Sequence, residues 1–480
     1  MDPEPPALLD GTSPAPSPLP PEEKAGKIYH AGSLRYTLRG LLVLSVWLLW
    51  GDFAFTFFEN VFGRFLPLYL KDLNASNTLI GVMTGSIAGA VNILFLPNIS
   101  QWSDHYRGRL GRRIPFLYVV TPLTVAALVA VGFAPAIAGW VQTRILVHFA
   151  PAVSASALVL GLLCAMVVCY HFFNMVLVNA YNWLVRDVVP QELMARFLSW
   201  FRIIGTASSF AFLWWVFPHL KDDRETIFLL VGIFYLAGFL LMCLNVKEGE
   251  YPPPPSKENR PGLVKSFALY FQDCLCLPIY RHFYAASVLV VLALGCAGSF
   301  FMLFTRDTLN LDMGTIGKIF AWGTMASTLI YFPMGWLCDR FNPFRVILVG
   351  LAGLTAASLL GFFATHDRES FLIWTLATTL PSAAWALGSM AATMKLFPKQ
   401  RFGQFYSALN IFGCGILIPG NYLIGKLMDL THSNYRVVFL WSAVLYAAAL
   451  YPMTRVYREW KKHGGPDHYA PPLPPRDQPA

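Results

Sequence analysis

Charged residues are scarce in this chain. Only 13% of its 480 residues are Asp, Glu, Lys or Arg, whereas soluble proteins carry about 25%. Hydrophobic residues make up 56% of the chain, so the charges are too few to cover a soluble globule of this size. The composition argues against a soluble enzyme, a secreted disulfide scaffold and a disordered chain. It indicates a membrane protein with many spans.

The sequence also lacks the motifs of metal, redox and nucleotide chemistry. Its 8 cysteines form no CxxC pair and no Cys/His cluster, which predicts neither a metal site nor a disulfide framework. No glycine-rich nucleotide-binding motif and no nucleophile–base constellation is found. We therefore expect no enzyme, no cofactor and no ATP-driven pump. The net charge of +9 reflects loop placement, not nucleic-acid binding.

Apolar runs long enough to cross a bilayer, which takes roughly 20 residues, account for most of the chain. Twelve are found, grouped as six plus six around a polar stretch that contains four consecutive prolines, Pro252 to Pro255. They are centred on 41–69, 79–100, 115–134, 154–181, 197–217, 226–245, 282–304, 315–337, 344–364, 370–393, 404–425 and 434–453.

Lys and Arg are concentrated in both tails and in the loops after the even-numbered runs. Because cytoplasmic loops collect basic residues, we expect both termini in the cytoplasm and a multi-pass protein of the plasma (inner) membrane. The expected division is a disordered cytoplasmic tail over 1–35, a six-helix bundle over 36–246, a cytoplasmic linker over 247–281, a second six-helix bundle over 282–456 and a disordered cytoplasmic tail over 457–480.

A short pattern recurs at equivalent places in the two halves. In runs two and eight, a proline within the run is followed by a Trp and then an Asp where the run ends, as Pro97, Trp102 and Asp104 and again as Pro333, Trp336 and Asp339. Paired halves are typical of secondary transporters. The pattern therefore favours two related six-helix units.

The loop after run two carries the most specific motif, Ser103-Asp104-His105-Tyr106-Arg107-Gly108-Arg109-Leu110-Gly111-Arg112-Arg113-Ile114-Pro115-Phe116. It resembles the loop 2–3 signature of the major facilitator superfamily, in the form found in sucrose/proton symporters and glycoside–pentoside–hexuronide:cation symporters. The resemblance implies an all-α membrane protein of twelve helices in two pseudo-symmetric halves.

The same resemblance implies a cytoplasmic gate or latch. The gate residues it suggests are Asp104, Arg107, Arg112, Arg113, Arg186, Asp187, Asp339 and Arg340. The alternative is that the basic residues of this loop serve only to fix the topology.

Two carboxylates lie within the first apolar run. Asp52 and Glu59 are seven residues apart, which on a helix places them on one face about 10 Å apart. Ionisable residues inside the membrane are costly and usually functional, so both are candidates for binding the coupling ion, H⁺ or Na⁺. The alternative is a salt bridge to Arg202 or Arg64.

Neutral polar and aromatic residues follow in other runs. His171, Asn174 and Asn182 follow one helical stripe of run four, where their donors and acceptors suit a polyol, although interhelical hydrogen bonds use the same residue types. In the second half, Trp385 and Asn410 are the candidates for substrate contact.

These features together predict a secondary active transporter that moves a small polar solute, a sugar or glycoside, by cation symport with alternating access. Its expected partners are the lipid bilayer, the solute and the coupling cation. The alternatives are a porter of the same fold for a drug, an organic acid or a lysolipid, and a non-transporting membrane receptor.

Overall fold

The computed structural model describes residues 28–108, 110–146, 154–249, 270–465 and 469–472, and these are almost entirely helical. A small antiparallel hairpin of β1 (Tyr29–Ala31) and β2 (Leu34–Tyr36) precedes the first long helix. Most of the expected tails and linker lie outside the described residues. The hairpin is a difference from the expected disordered tail.

Twelve long helices occur in the described residues, one at each predicted apolar run. The first six are α1 (Leu38–Asp72), α2 (Asn77–His105), α3 (Ile114–Gly132), α4 (Ala155–Val188), α5 (Arg196–His219) and α6 (Arg224–Asn245). The second six are α7 (Pro278–Thr308), α8 (Met313–Phe341), α9 (Pro343–Ala364), α10 (Arg368–Leu396), α11 (Lys399–Leu430) and α12 (Val437–Lys462).

Eleven of these helices are both long and apolar enough to cross a membrane. The remaining one, α8, has 29 residues, and its Ser, Thr, Trp and Tyr residues lower its mean hydropathy. The prediction of an all-α membrane protein is confirmed.

The same helix pairs pack in each half. In the first bundle α1 contacts α5 and α6, α3 contacts α4 and α6, and α2 contacts α4. In the second bundle α7 contacts α11 and α12, α9 contacts α10 and α12, and α8 contacts α10. The two bundles meet through α2 with α11, α5 with α8, and α1 with α7. This arrangement is the pseudo-symmetry that the recurring proline pattern favoured.

The molecule has two ends, named here by their loops. The basic end carries the loop around Arg112 and Arg113 and the turn between α8 and α9. The opposite end carries the connections 73–76 and 431–436. Two of the helices that begin at the opposite end, α2 and α10, are capped by side-chain oxygens. Ser76 accepts from the amide of Leu79 at 3.2 Å, and Asp367 from that of Ser370 at 2.8 Å. Such caps satisfy amides that have no partner within the helix.

Buried apolar side chains show where the two bundles are joined. One cluster runs through the first bundle and reaches the second bundle from the middle of α7 to the opposite end, through residues such as Phe304, Met428 and Phe439. A separate cluster, which includes Tyr280 and Trp460, fills the second bundle near the basic end. The bundles therefore share a core at one end and have independent cores at the other.

The helices of the second bundle extend beyond the expected domain limits. Helix α7 begins at Pro278 and α12 continues to Lys462. Beyond it, the hydroxyl of Tyr280 donates to the carbonyl of Pro472 at 2.8 Å, and that of Tyr469 to the carbonyl of Leu396 at 3.2 Å. Residues 469–472 thus pack against the second bundle.

Candidate functional site

Glu59 lies within α1 and faces α4. Its Oε1 accepts a hydrogen bond from Nδ2 of Asn174 at 2.6 Å and one from the hydroxyl of Tyr170 at 3.4 Å. Both partners are neutral, and no Lys or Arg of the described residues lies within ion-pair distance of Glu59. The structure therefore brings together two residues that were predicted separately, a coupling candidate and a substrate-binding candidate.

Two polar groups on the same part of α4 belong to this site. The Oδ1 of Asn174 is buried and has no hydrogen-bond partner, so it is an acceptor open to a donor. The neighbouring His171 is partly buried, and its Nε2 lies 3.0 Å from the carbonyl oxygen of Met83 in α2. Its ring also packs edge-on against Phe62.

Asp52 lies nearer the basic end of α1 and packs against α5. Its side chain is only 2% exposed, and its Oδ2 has no hydrogen-bond partner. A Cβ placed on Gly205 would lie 3.4 Å from this oxygen, so the small residue makes room for the carboxyl. No ion pair within 4.0 Å joins Asp52 to Arg202 of α5 or to Arg64, all three being described residues.

Arg64 is a cation within α1 at the boundary between the bundles. Its guanidinium carbon lies 5.4 Å from the ring centre of Phe320 in α8. Among the described residues it has no hydrogen-bond or ion-pair partner. The adjacent Gly63 is exposed, and a Cβ placed on it would meet nothing within 4 Å. This part of α1, which is nearer its end at Asp72, therefore borders open space next to an unpaired cation.

Three predicted substrate residues lie apart from this site's hydrogen bonds. Asn182 is exposed near the basic end of α4, and Asn410 is exposed on α11, where its Nδ2 donates to the carbonyl of Tyr406 in its own helix at 3.0 Å. Trp385 is 8% exposed and belongs to the core of the second bundle.

The predicted latch residues form a charge network inside the first bundle. Arg113 pairs with Asp104 at 2.5 Å, and Arg112 pairs with Asp187 of α4 at 2.9 Å. Arg107 donates to the carbonyl oxygen of Asp104 at 2.7 Å, and Arg186 is exposed beside the network. The Asp104 side chain keeps 47% of its surface exposed.

Glu248, which follows α6, completes this network and was not singled out from the sequence. Its carboxylate accepts from the amides of Arg112, Arg113 and Ile114 at 2.9, 2.7 and 2.5 Å. Glu248 thereby caps the start of α3, where amides lack partners within the helix.

The corresponding turn of the second bundle has a different environment. Asp339 and Arg340 are both exposed, and Arg340 lies over the rings of Trp336 and Phe341 at 5.1 and 5.7 Å. No ion pair within 4.0 Å between described residues includes either of them. The predicted repeat of the latch therefore lacks the charge network of the first bundle.

A set of hydrogen bonds, also missed from the sequence, joins the bundles at the opposite end. Asp429 of α11 accepts from the amides of Asn77 and Thr78 at 2.8 and 2.9 Å and from the hydroxyl of Thr78 at 2.5 Å. Asn77 also donates to Ser433 at 2.9 Å and accepts from Tyr435 at 2.8 Å. A carboxylate of one bundle thus caps the first turn of α2 in the other. We call these contacts the seam.

Further contacts extend the seam. Arg306 pairs with Asp72 at 2.7 Å and donates to the carbonyl of Leu68 at 3.2 Å, and deeper in the protein Ser86 donates to the carbonyl of Ile418 at 2.6 Å. Among the described residues, every hydrogen bond between the two bundles belongs to the seam or to the loops of the opposite end. The hydrogen bonds therefore hold the bundles together at the opposite end.

Glycines permit the close approach of α2 and α11 at the seam. A Cβ on Gly81 would collide with the carbonyl oxygen of Asn421, and one on Gly425 would lie 2.5 Å from the carbonyl oxygen of Asn77. Small residues at helix contacts let backbones approach closely within membranes.

The comparisons with known proteins agree with this architecture. Residues 225–419 and 283–477, together more than half of the chain, match the Major Facilitator Superfamily. The chain belongs to this superfamily. It is a multi-pass membrane protein and a secondary transporter by fold, not an enzyme.

Individual relatives are distant. The chain is 21% identical over 420 residues to Protein PucC of Cereibacter sphaeroides, covering 81% of this chain and 84% of PucC. It is 14% identical to a bacterial homologue of the human lysosomal transporter Spinster in an inward-facing conformation, with a TM-score of 0.65, covering 90% of this chain and 98% of the homologue.

A second solved protein is available in two states. The chain matches a bacterial homologue of the iron transporter ferroportin in its inward-facing state with a TM-score of 0.65 at 14% identity, covering 87% of this chain and 99% of the homologue. For the outward-facing state the TM-score is 0.56 at 16% identity, with 86% and 99% covered. These likenesses establish the fold.

Proposed function

We propose that this chain is a proton-coupled symporter for a small polar solute, a sugar or glycoside, and that it works by alternating access across the plasma (inner) membrane. The observation that carries the proposal is the environment of Glu59. An ionised carboxylate within a membrane-spanning helix is costly unless a charge compensates it, and its two hydrogen-bond partners are neutral. A bound proton removes the cost.

The contact with Asn174 links that proton to the solute. Asn174 holds Glu59 through its Nδ2 and leaves Oδ1 as a buried acceptor without a partner. A solute hydroxyl that donates to Oδ1 fixes the orientation of the amide, and with it the hydrogen bond to Glu59. Solute binding and proton binding at Glu59 are then linked through one side chain, and symport requires this linkage to be positive.

Asp52 has a secondary part in this proposal. Its buried oxygen without a partner lies on the basic side of Glu59, where it is suited to receive the proton as the carrier opens.

The distribution of contacts supports an inward-facing state. The seam closes the opposite end, and the basic end has separate cores. With the basic loops in the cytoplasm, as the charge bias favours, the closed end is external. The higher TM-score with the inward-facing than with the outward-facing ferroportin homologue agrees with this orientation.

Arg64 favours a second candidate, a solute that carries an acid group. An arginine within a membrane helix ordinarily has an anionic partner, and this one faces a phenylalanine ring next to open space. A carboxylate on the solute supplies the missing anion. An organic acid or an acidic sugar is therefore the alternative to a neutral sugar or glycoside.

An uptake panel in proteoliposomes tests the proposal. Neutral sugars, glycosides and uronic acids are offered with an imposed pH gradient, an imposed Na⁺ gradient or neither. We expect accumulation of one solute class under the pH gradient only. Accumulation under the Na⁺ gradient alone would contradict proton coupling. Loss of acid uptake in Arg64→Gln, with neutral-sugar uptake unaffected, would assign the acid group to Arg64.

A further inference from the structure

A cavity of about 670 Å³ lies at the basic end of the second bundle, away from the space beside Glu59. It is bordered by the ends of α8, α10 and α12, by the start of α9 and by the C-terminal segment around Tyr469. Its lining contains one carboxylate, Asp339, and five cations, which are Arg340, Arg345, Lys395, Lys399 and Lys461.

Among the described residues, no carboxylate forms an ion pair with these cations. Arg345 donates to the hydroxyl of Tyr457 at 2.7 Å, Lys461 lies 4.6 Å from the centre of the same ring, and Arg340 lies over Trp336. None of the five cations takes part in an ion pair within 4.0 Å among the described residues. Like charges around one cavity repel each other, and a bound anion relieves this repulsion.

The first bundle provides an internal comparison. At its basic end, Arg112 and Arg113 are paired with Asp104 and Asp187, and Glu248 accepts from the neighbouring amides. The basic residues at the related turn of the second bundle have no such partners within the described part of the chain. One half thus supplies its own anions, and the other leaves a cationic cavity.

The floor of the cavity is preformed. Trp460 is 3% exposed and lies against Phe344, Tyr457 and Tyr469 with ring centres 5.1, 6.1 and 6.2 Å apart. The hydroxyl of Tyr469 also holds the C-terminal segment to the carbonyl of Leu396. An anion entering this space meets aromatic rings that are already packed, with the cationic side chains of the lining around them.

We propose that this cavity binds a phosphate-bearing anion, either the headgroup of an anionic phospholipid or a soluble phosphate compound. Phosphate oxygens accept charge-assisted hydrogen bonds from Arg and Lys. The cavity lies at the ends of membrane-spanning helices, which is the level of lipid headgroups, and basic pockets between such helices suit anionic headgroups. A bound phosphate would tie the α8–α9 turn, the end of α10 and the end of α12 together.

The test compares two doubly substituted full-length proteins with the unsubstituted one. Lys395→Gln with Lys461→Gln removes two exposed cations from the cavity lining. Arg455→Gln with Arg458→Gln removes two exposed cations from α12 outside the lining and is the matched control. Native mass spectrometry measures binding of phosphatidylglycerol against phosphatidylcholine, and a separate arm titrates inorganic phosphate while following the melting temperature.

We expect the unsubstituted protein and the control to retain at least one phosphatidylglycerol more tightly than phosphatidylcholine, and the cavity variant to lose about tenfold in that affinity. Binding of phosphatidylglycerol alone assigns the cavity to a lipid headgroup. Stabilisation by inorganic phosphate that the cavity variant lacks assigns it to a soluble phosphate. The proposal would be overturned if all three proteins bound phosphatidylglycerol equally and inorganic phosphate equally.

Discussion

The seam makes a sharp prediction for Asp429→Ala. This substitution removes an acceptor of three hydrogen bonds that join α11 to the first turn of α2 and leaves the bundles otherwise unchanged. We expect the opposite end to open more often. A matched control is Asp367→Ala, which removes a helix-capping carboxylate on the same end of the protein, but one that caps within the second bundle.

The size of the effect follows from the contacts. A hydrogen bond to a charged group contributes about 1.5–3 kcal/mol net. The three bonds of Asp429 share one carboxylate and are not additive, so we assign roughly 3 kcal/mol to the set, twice the lower single-bond value. Because each 1.4 kcal/mol changes an equilibrium about tenfold, the open population should rise roughly a hundredfold. Asp429→Asn retains one oxygen acceptor, so its open population should lie between those of the unsubstituted protein and Asp429→Ala.

Amide hydrogen exchange followed by mass spectrometry reads this opening directly, since exchange of protected amides reports the population of the open form. In Asp429→Ala, peptides covering Asn77–Ser86 and Leu417–Met428 should exchange faster by up to that factor. In Asp367→Ala, faster exchange should be confined to the first turn of α10. Unchanged exchange over Asn77–Ser86 in Asp429→Ala would refute the assignment of Asp429 to the seam.

Three further predictions concern topology, the open space and the latch. Reporter fusions after Pro255 and after Arg458 should both report cytoplasm, and an external report from either would contradict the orientation. Gly63→Leu should fill the open space beside α1 and slow uptake at least tenfold. The control Gly139→Leu, where a Cβ also meets nothing within 4 Å, should transport normally. Equal uptake by the two variants would argue against a solute path beside Gly63. Glu248→Ala should lower the free energy of unfolding by about 1–3 kcal/mol because it leaves amides at the start of α3 without their acceptor. An unchanged thermal midpoint would contradict the placement of Glu248 in the network.

The helices could be predicted from the sequence because each apolar run is long enough to specify a span. Even α8, whose polar and aromatic residues lower its mean hydropathy, was recognisable by its length and its Asp339-Arg340 end. The hairpin could not be predicted in the same way. Its strands have three residues each, which is too short for an alternating pattern to stand out.

The individual residues of the candidate site could be predicted from the sequence, but the contacts between them could not. Glu59 and Asn174 attract attention because polar groups are costly in a membrane, yet their 2.6 Å contact depends on how α1 packs on α4. Nothing in the sequence pattern around Asp429 indicated that it would join the two bundles. It lies at the end of an apolar run, where a carboxylate is unremarkable, and its partners are amides of the other bundle.

The most direct test of the central claim compares Glu59→Gln with the unsubstituted protein in vesicles under an imposed gradient of one pH unit. Coupling to one proton allows about tenfold accumulation, since a tenfold ratio corresponds to 1.4 kcal/mol. We expect Glu59→Gln, which keeps an oxygen acceptor for Asn174 but cannot exchange a proton, to exchange solute across the membrane and to accumulate none above the external concentration. Undiminished accumulation by Glu59→Gln would contradict the assignment of proton coupling to Glu59.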